Sequence, residues 1–124
     1  MNTNDKIKRL RNKCDRLLQE INKEKNPVCE NCGSQTQVGH HFITKGSCSS
    51  LRYDFDNIIP LCNSCHFAIH QKSDSRITAN IVLNRGEKWY KDLVLKGNTT
   101  LFKTTLENYE RVLEELKQEY EQYT

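Results

Sequence analysis

Between Cys62 and His70 the chain reads CNSCHFAIH, which sets a Cys-x2-Cys pair end to end with a His-x3-His pair. An earlier pair, Cys29-Glu30-Asn31-Cys32, is followed by Gly33, and the other two histidines, His40 and His41, lie between the cysteine pairs. Cys-x2-Cys lets a tight turn present two thiolates to one ion. Two such pairs complete the tetrahedral set of a structural zinc, assigned to Cys29, Cys32, Cys62 and Cys65. The stretch 33–61 exceeds the roughly 15–20 residues that separate the pairs of a zinc ribbon, which implies an insertion between the two knuckles. A redox reading fits less well, because thioredoxin-like motifs come singly between a strand and a helix.

The histidines ask for a second ion. On a helix over 64–72, His66 and His70 sit one turn apart on one face, where two imidazoles can bind one cation. Cys65 is turned from His66 by about 100° on such a helix, so sulfurs and imidazoles look in different directions. A one-ion finger built from Cys29, Cys32, His66 and His70 would need a far longer loop than the roughly 12 residues of such fingers, and it would strand the other candidate ligands. Residues 37–43 and 57–61 have the β-branched and aromatic flavour of short strands. In a strand His40 and His41 face opposite ways, so one suits a metal while its neighbour faces a substrate.

Helices must carry this block. Ile7, Leu10, Cys14, Leu17 and Ile21 form a helical stripe over 4–25, ended by Asn26-Pro27. Phe102, Leu106, Tyr109, Leu113, Leu116 and Tyr120 form another, with a start signal at Asn98-Thr99-Thr100. Each seam wants an apolar partner, either the other helix of the same chain or its match in a second copy, a possible homodimer. Residues 75–84 and 87–96 read as short helices broken at Gly86 and stopped at Gly97. Trp89, Tyr90, Leu93 and Val94 are expected to pack on the core, Cys14 to be a buried small hydrophobe, and Cys48 to be an unpartnered loop residue.

The 124 residues suit one small domain, 1–124, made of an N-terminal helix (1–26), a Cys/His core (27–72) and a helical extension (73–124). With 35% hydrophobic and 28% charged residues, the apolar core is thin enough that metal should help hold it. The net charge is +3, basic at the amino end and acidic at the carboxyl end, compatible with a polyanionic partner and with a solvated helix face alike. No apolar stretch reaches the roughly 18–20 residues of a membrane helix and MNTNDKIKRLRNK has no secretory core, so a cytoplasmic location with reduced thiols and no membrane partner is expected.

The pattern Cys29-x2-Cys32-Gly33, His40-His41, Asn57, Cys62-x2-Cys65-His66-x3-His70 resembles the HNH endonucleases. The stretch GHHFITKGSCSSLRYDFDNIIPLCNSCH is further similar to the phage recombination endonucleases of the Rap/NinG type, in which an asparagine often stands where His66 does. The resemblance covers about residues 27–72. It implies an α+β fold: a small ββα-metal (His-Me finger) core with a four-cysteine zinc site, flanked by the amphipathic helices. It implies DNA as partner and phosphodiester hydrolysis as activity, in the host cytoplasm if the chain is phage-encoded. His40, His66 and His70 take the places of the ligands of a catalytic divalent ion (Mg2+, Mn2+, Zn2+ or Ni2+), His41 that of the general base, and Asn57 that of the residue that pins the loop and orients the base. Lys45, Arg52 and Lys72 are the local cations for phosphate contacts. The competing reading is a zinc-binding DNA-binding module without catalysis, which has no need of His41.

Overall fold

The computed structural model describes residues 1–71 and 75–123. The first stripe becomes α1 (Thr3–Lys25), whose N-cap Asn2 accepts a hydrogen bond from the Asp5 N–H at 2.9 Å. Asp5 in its first turn and Lys23 and Lys25 in its last complement the helix dipole. The chain then makes the first cysteine knuckle, where Gly33 at φ 81° takes a turn conformation that a side chain would strain.

β1 (Val38–His41) and β2 (Ile58–Leu61) form a two-stranded antiparallel sheet with His40 opposite Ile59 and His41 opposite Ile58. Between them run two 3-10 turns, Ser49–Leu51 and Phe55–Asn57. Cys62 caps α2 (Asn63–His70), with its Sγ accepting from the Cys65 N–H at 3.4 Å. This strand–strand–helix unit has the ββα order, and with the surrounding helices the fold is α+β.

Three more helices follow: α3 (Arg76–Arg85), α4 (Glu87–Thr99) and α5 (Leu106–Glu121). Two apolar clusters hold them. In one, Cys14, Leu18 and Ile21 of α1 meet Tyr109, Val112 and Leu116 of α5 over Ile58. In the other, Ile77 and Ile81 of α3 cover Ile59, Leu61 and the buried cysteines, with Trp89 and Phe42 at the margin. No helix among the described residues is long and apolar enough to cross a membrane.

Several sequence expectations meet corrections here. The two amphipathic seams close on each other within one chain, with Lys25 and Glu119 paired at 3.6 Å, so they do not call for a second copy and a homodimer gains no support. The most buried positions of α1 are Cys14, Leu18, Ile21 and Asn22, whereas Leu17 is only partly buried. The stripe broadens because α1 packs on the sheet as well as on α5. Asn98-Thr99-Thr100 does not start the last helix; it ends α4, and Thr105 caps α5 by accepting from the Asn108 N–H. Gly97 does not stop α4 either. A Cβ there would lie 3.0 Å from Leu51 Cδ1 and 3.3 Å from Cys48 Sγ, so the glycine permits a close crossing. Cys48 accordingly packs against α4, with its Sγ 3.6 Å from the Gly97 carbonyl. Cys14 and Leu93 are buried as expected, and Tyr90, 41% exposed, sets its ring edge-on to Phe42 at the margin of the core.

Candidate functional site

Both ends of α2 carry donors. At its start, Cys62 and Cys65 meet Cys29 and Cys32 of the first knuckle, and the four sulfurs all lie within 4.8 Å of one another. A tetrahedral zinc with Zn–S bonds of about 2.3 Å sets sulfurs about 3.8 Å apart. Cys32 Sγ and Cys62 Sγ stand at 3.6 Å, so the donor set fits. The second shell is also built: Asn31 Nδ2 donates to Cys65 Sγ at 3.3 Å. Hydrogen bonding, first from the Cys65 backbone N–H, brings the Cys62 thiol down to about 6, and burial pushes Cys65 up to about 12. These four cysteines are arranged to bind a metal ion, and their chemistry is that of a structural zinc site.

The far turns of α2 carry His66 and His70, whose Nε2 atoms are 2.8 Å apart. That is a hydrogen-bond distance between the two rings, and imidazole nitrogens about 2.0–2.1 Å from one tetrahedral ion would stand about 3.3 Å apart, so a small side-chain shift lets both bind it. β1 brings His40 against this pair, with ring centroids 5.2 Å and 5.7 Å away, and the three ligand nitrogens lie within 4.8 Å of one another. His40 is nearly buried, and burial followed by the neighbouring imidazoles of His66 and His70 pulls it down to about 4. Burial, then His70, lowers His66 as well. Neutral rings are what a cation needs.

His41, the next residue of β1, turns away from the triad. Its Nε2 faces the Arg52 carbonyl oxygen at 2.9 Å. A carbonyl only accepts, so the ring proton sits on Nε2 and the Nδ1 lone pair is free. Burial lowers the basicity of His41 and outweighs this hydrogen bond, which opposes it, so the net effect favours the neutral ring. An open groove of about 360 Å³ runs past it, lined by Gln19, His40, His41, Lys45, His66 and His70 among others.

Asn57 is fully buried. Its Oδ1 accepts from the Ile43 N–H at 2.8 Å, and its Nδ2 donates to the carbonyls of Ile43 and Leu51 at 2.9 Å and 3.2 Å. It ties both ends of the loop between the strands, whereas the group that meets the His41 ring is the Arg52 carbonyl. Of the cations singled out in the sequence, Lys45 is exposed at the groove. Arg52 is not free: its Nε and Nη2 donate to the Asp15 carboxylate at 3.0 Å and 2.6 Å. Lys72 lies outside the described residues. Sequence reasoning missed Asp15, Gln19 and Tyr53. They sit at the margins of apolar stretches, where a polar residue with a buried partner looks the same as a solvated one.

The family described as HNH endonuclease has a model that matches residues 29–72, which takes in both cysteine pairs, all four histidines and Asn57. The match supports a nuclease or DNA-binding role in general. No curated protein and no solved structure matches the chain.

Proposed function

We propose that the chain is a metal-dependent endonuclease that hydrolyses DNA phosphodiester bonds. The observation that carries this reading is the His41 ring, held through Nε2 with its Nδ1 left open, beside the three-imidazole cluster: a binding module has no use for an oriented, neutral base next to an open cation site. His41 Nδ1 takes the proton of the attacking water, and the Arg52 carbonyl keeps the ring in the tautomer that leaves this nitrogen free. When bound by His40, His66 and His70, a divalent ion supplies charge stabilisation for the phosphoryl group and the departing 3′ oxygen. Three nitrogen donors favour Zn2+ or Ni2+ for tight binding, with Mg2+ or Mn2+ as ions able to support turnover. Asn57 keeps the loop closed so that the Arg52 carbonyl stays at the ring. Lys45 contacts the DNA backbone at the groove, and Lys72 is assigned the same role. On the Rap/NinG-type likeness, we assign the activity to DNA recombination or processing in the cytoplasm, releasing 5′-phosphate ends.

The test is incubation of the purified protein with supercoiled plasmid and with synthetic branched DNA, adding each divalent ion in turn or a chelator. Cleavage should require the ion. His41→Ala should lower it by about 10²–10⁴-fold while zinc content and DNA binding persist. Undiminished cleavage by His41→Ala would remove this mechanism. DNA binding with no cleavage under any ion would make the chain a non-catalytic module.

A further inference from the structure

Asp15 and Gln19 lie one turn apart on α1, outside residues 29–72; Gln19 reaches the backbone of β1, and Asp15 reaches the side chains of Arg52 and Tyr53. Gln19 takes hold of β1 at Gly39: its Oε1 accepts from the Gly39 N–H at 2.7 Å and its Nε2 donates to the Gly39 carbonyl at 3.1 Å. Gly39 pairs with Pro60 at a non-hydrogen-bonded position of the ladder, the kind of position a proline can occupy, so the Gly39 N–H and carbonyl face away from β2 and toward α1. The Gln19 amide thus stands in for a third strand immediately before His40 and His41. A Cβ at Gly39 would lie 3.1 Å from Asn22 Nδ2 of α1 and only 2.7 Å from Ile58 Cγ2 of β2, so the glycine lets helix and sheet approach closely here.

Asp15 acts on the other side of the groove. Its carboxylate receives the Arg52 fork and also the Tyr53 hydroxyl at 2.8 Å. Burial opposes the charge on Asp15, but hydrogen bonds from Arg52 and Tyr53 outweigh it and hold the carboxyl below its ordinary range. An ion pair anchored this way fixes the chain at Arg52, and the carbonyl of that same residue meets His41 Nε2. An ion pair that merely stabilised the loop could have tied down any of its residues.

We infer that Asp15 and Gln19 are positioning residues: Gln19 sets the strand that presents His40 to the ion, and Asp15 sets the carbonyl that orients the His41 ring. Segment 29–72 therefore depends on α1 to be a working site. The inference rests on the roles proposed above for His40 and His41, so its decisive readouts do not require cleavage.

The experiment uses the full chain with zinc in the cysteine site. Long-range 15N–1H NMR of the imidazoles reports the His41 tautomer, and titration with Ni2+ as probe reports the affinity of the histidine cluster. Asp15→Ala and the milder Asp15→Asn should turn the single Nε2–H tautomer of His41 into a mixture while leaving Ni2+ affinity unchanged. They should lower kcat by about 10–100-fold with KM little changed. Gln19→Ala should weaken Ni2+ binding by about tenfold. Asp15→Ala combined with Arg52→Ala should cost no more than either change alone, since both break one clamp. An intact tautomer in both Asp15 variants together with full Ni2+ affinity in Gln19→Ala overturns the inference. So does a loss of kcat that merely follows the melting temperature. A wild-type protein that never cuts DNA would defeat the nuclease reading yet leave both spectroscopic outcomes decisive for the positioning role.

Discussion

Cys62 and Cys65 open α2 and His66 and His70 continue it, so one helix of eight residues serves two donor clusters of opposite character. The sulfur cluster has four donors, three of them buried, and backs onto Ile77 and Ile81. Four ligands fill a tetrahedral ion, which leaves such a site nothing to do but hold the chain. The imidazole cluster has three donors graded from buried His40 to exposed His70, an open groove, and a fourth histidine that stays outside it. Three ligands leave positions for water and substrate. The contrast teaches that the number of donors and the access to them, rather than their proximity, separate a closed structural set from one that leaves positions open.

The largest effect should come from breaking the staple. Cys62→Ser is expected to lose zinc and unfold the middle of the chain. Structural zinc contributes about 10–16 kcal/mol of binding, as much as the entire stability of a typical small domain. Zinc content and NMR dispersion check this; a folded variant with full zinc would erase the distinction between the clusters.

His70→Ala should separate them. The exposed ring makes little structural contribution of its own, so with the histidine cluster free of its ion stability should stay within about 0.5 kcal/mol. Bound metal should fall from two ions to one per chain, and cleavage should fall with it. Loss of both ions would mean that the sites are not independent.

The smallest and most specific effect is a pH dependence of protein whose histidine cluster has been stripped of its ion. His40 is held at about 4 in the fold against 6.5 for the free side chain, so the unfolded chain binds the extra proton first. The stabilisation is complete above pH 6.5 and shrinks as pH falls toward 4, by on the order of a few kcal/mol. Denaturant unfolding at several pH values, compared with His40→Gln, isolates it. Equal slopes for both proteins would show that His40 is not held neutral.

Much of this site was legible in the residues because its parts are local. Two thiolates on a turn, two imidazoles four residues apart on a helix, and two adjacent imidazoles on a strand have directions set by backbone periodicity alone. The segregation of sulfur from nitrogen around α2 follows from the rotation between Cys65 and His66. The same reasoning failed at Gly97 and at Asn98-Thr99-Thr100, where helix-ending and helix-starting residue types were read without their neighbours. A glycine chosen for a close crossing with Leu51 looks no different from one that ends a helix.

By itself, then, the sequence determined which atoms could bind metal, the ββα order that carries them, and the likeness to HNH endonucleases, since all of these rest on spacings of a few residues. Only the tertiary structure decided that the two long helices pair within one chain, that Arg52 belongs to Asp15 and not to a free surface, and that Gln19 completes the edge of β1. Those outcomes turn on contacts between residues far apart in the chain. A polar side chain reveals nothing of its partner until folding removes the water around it.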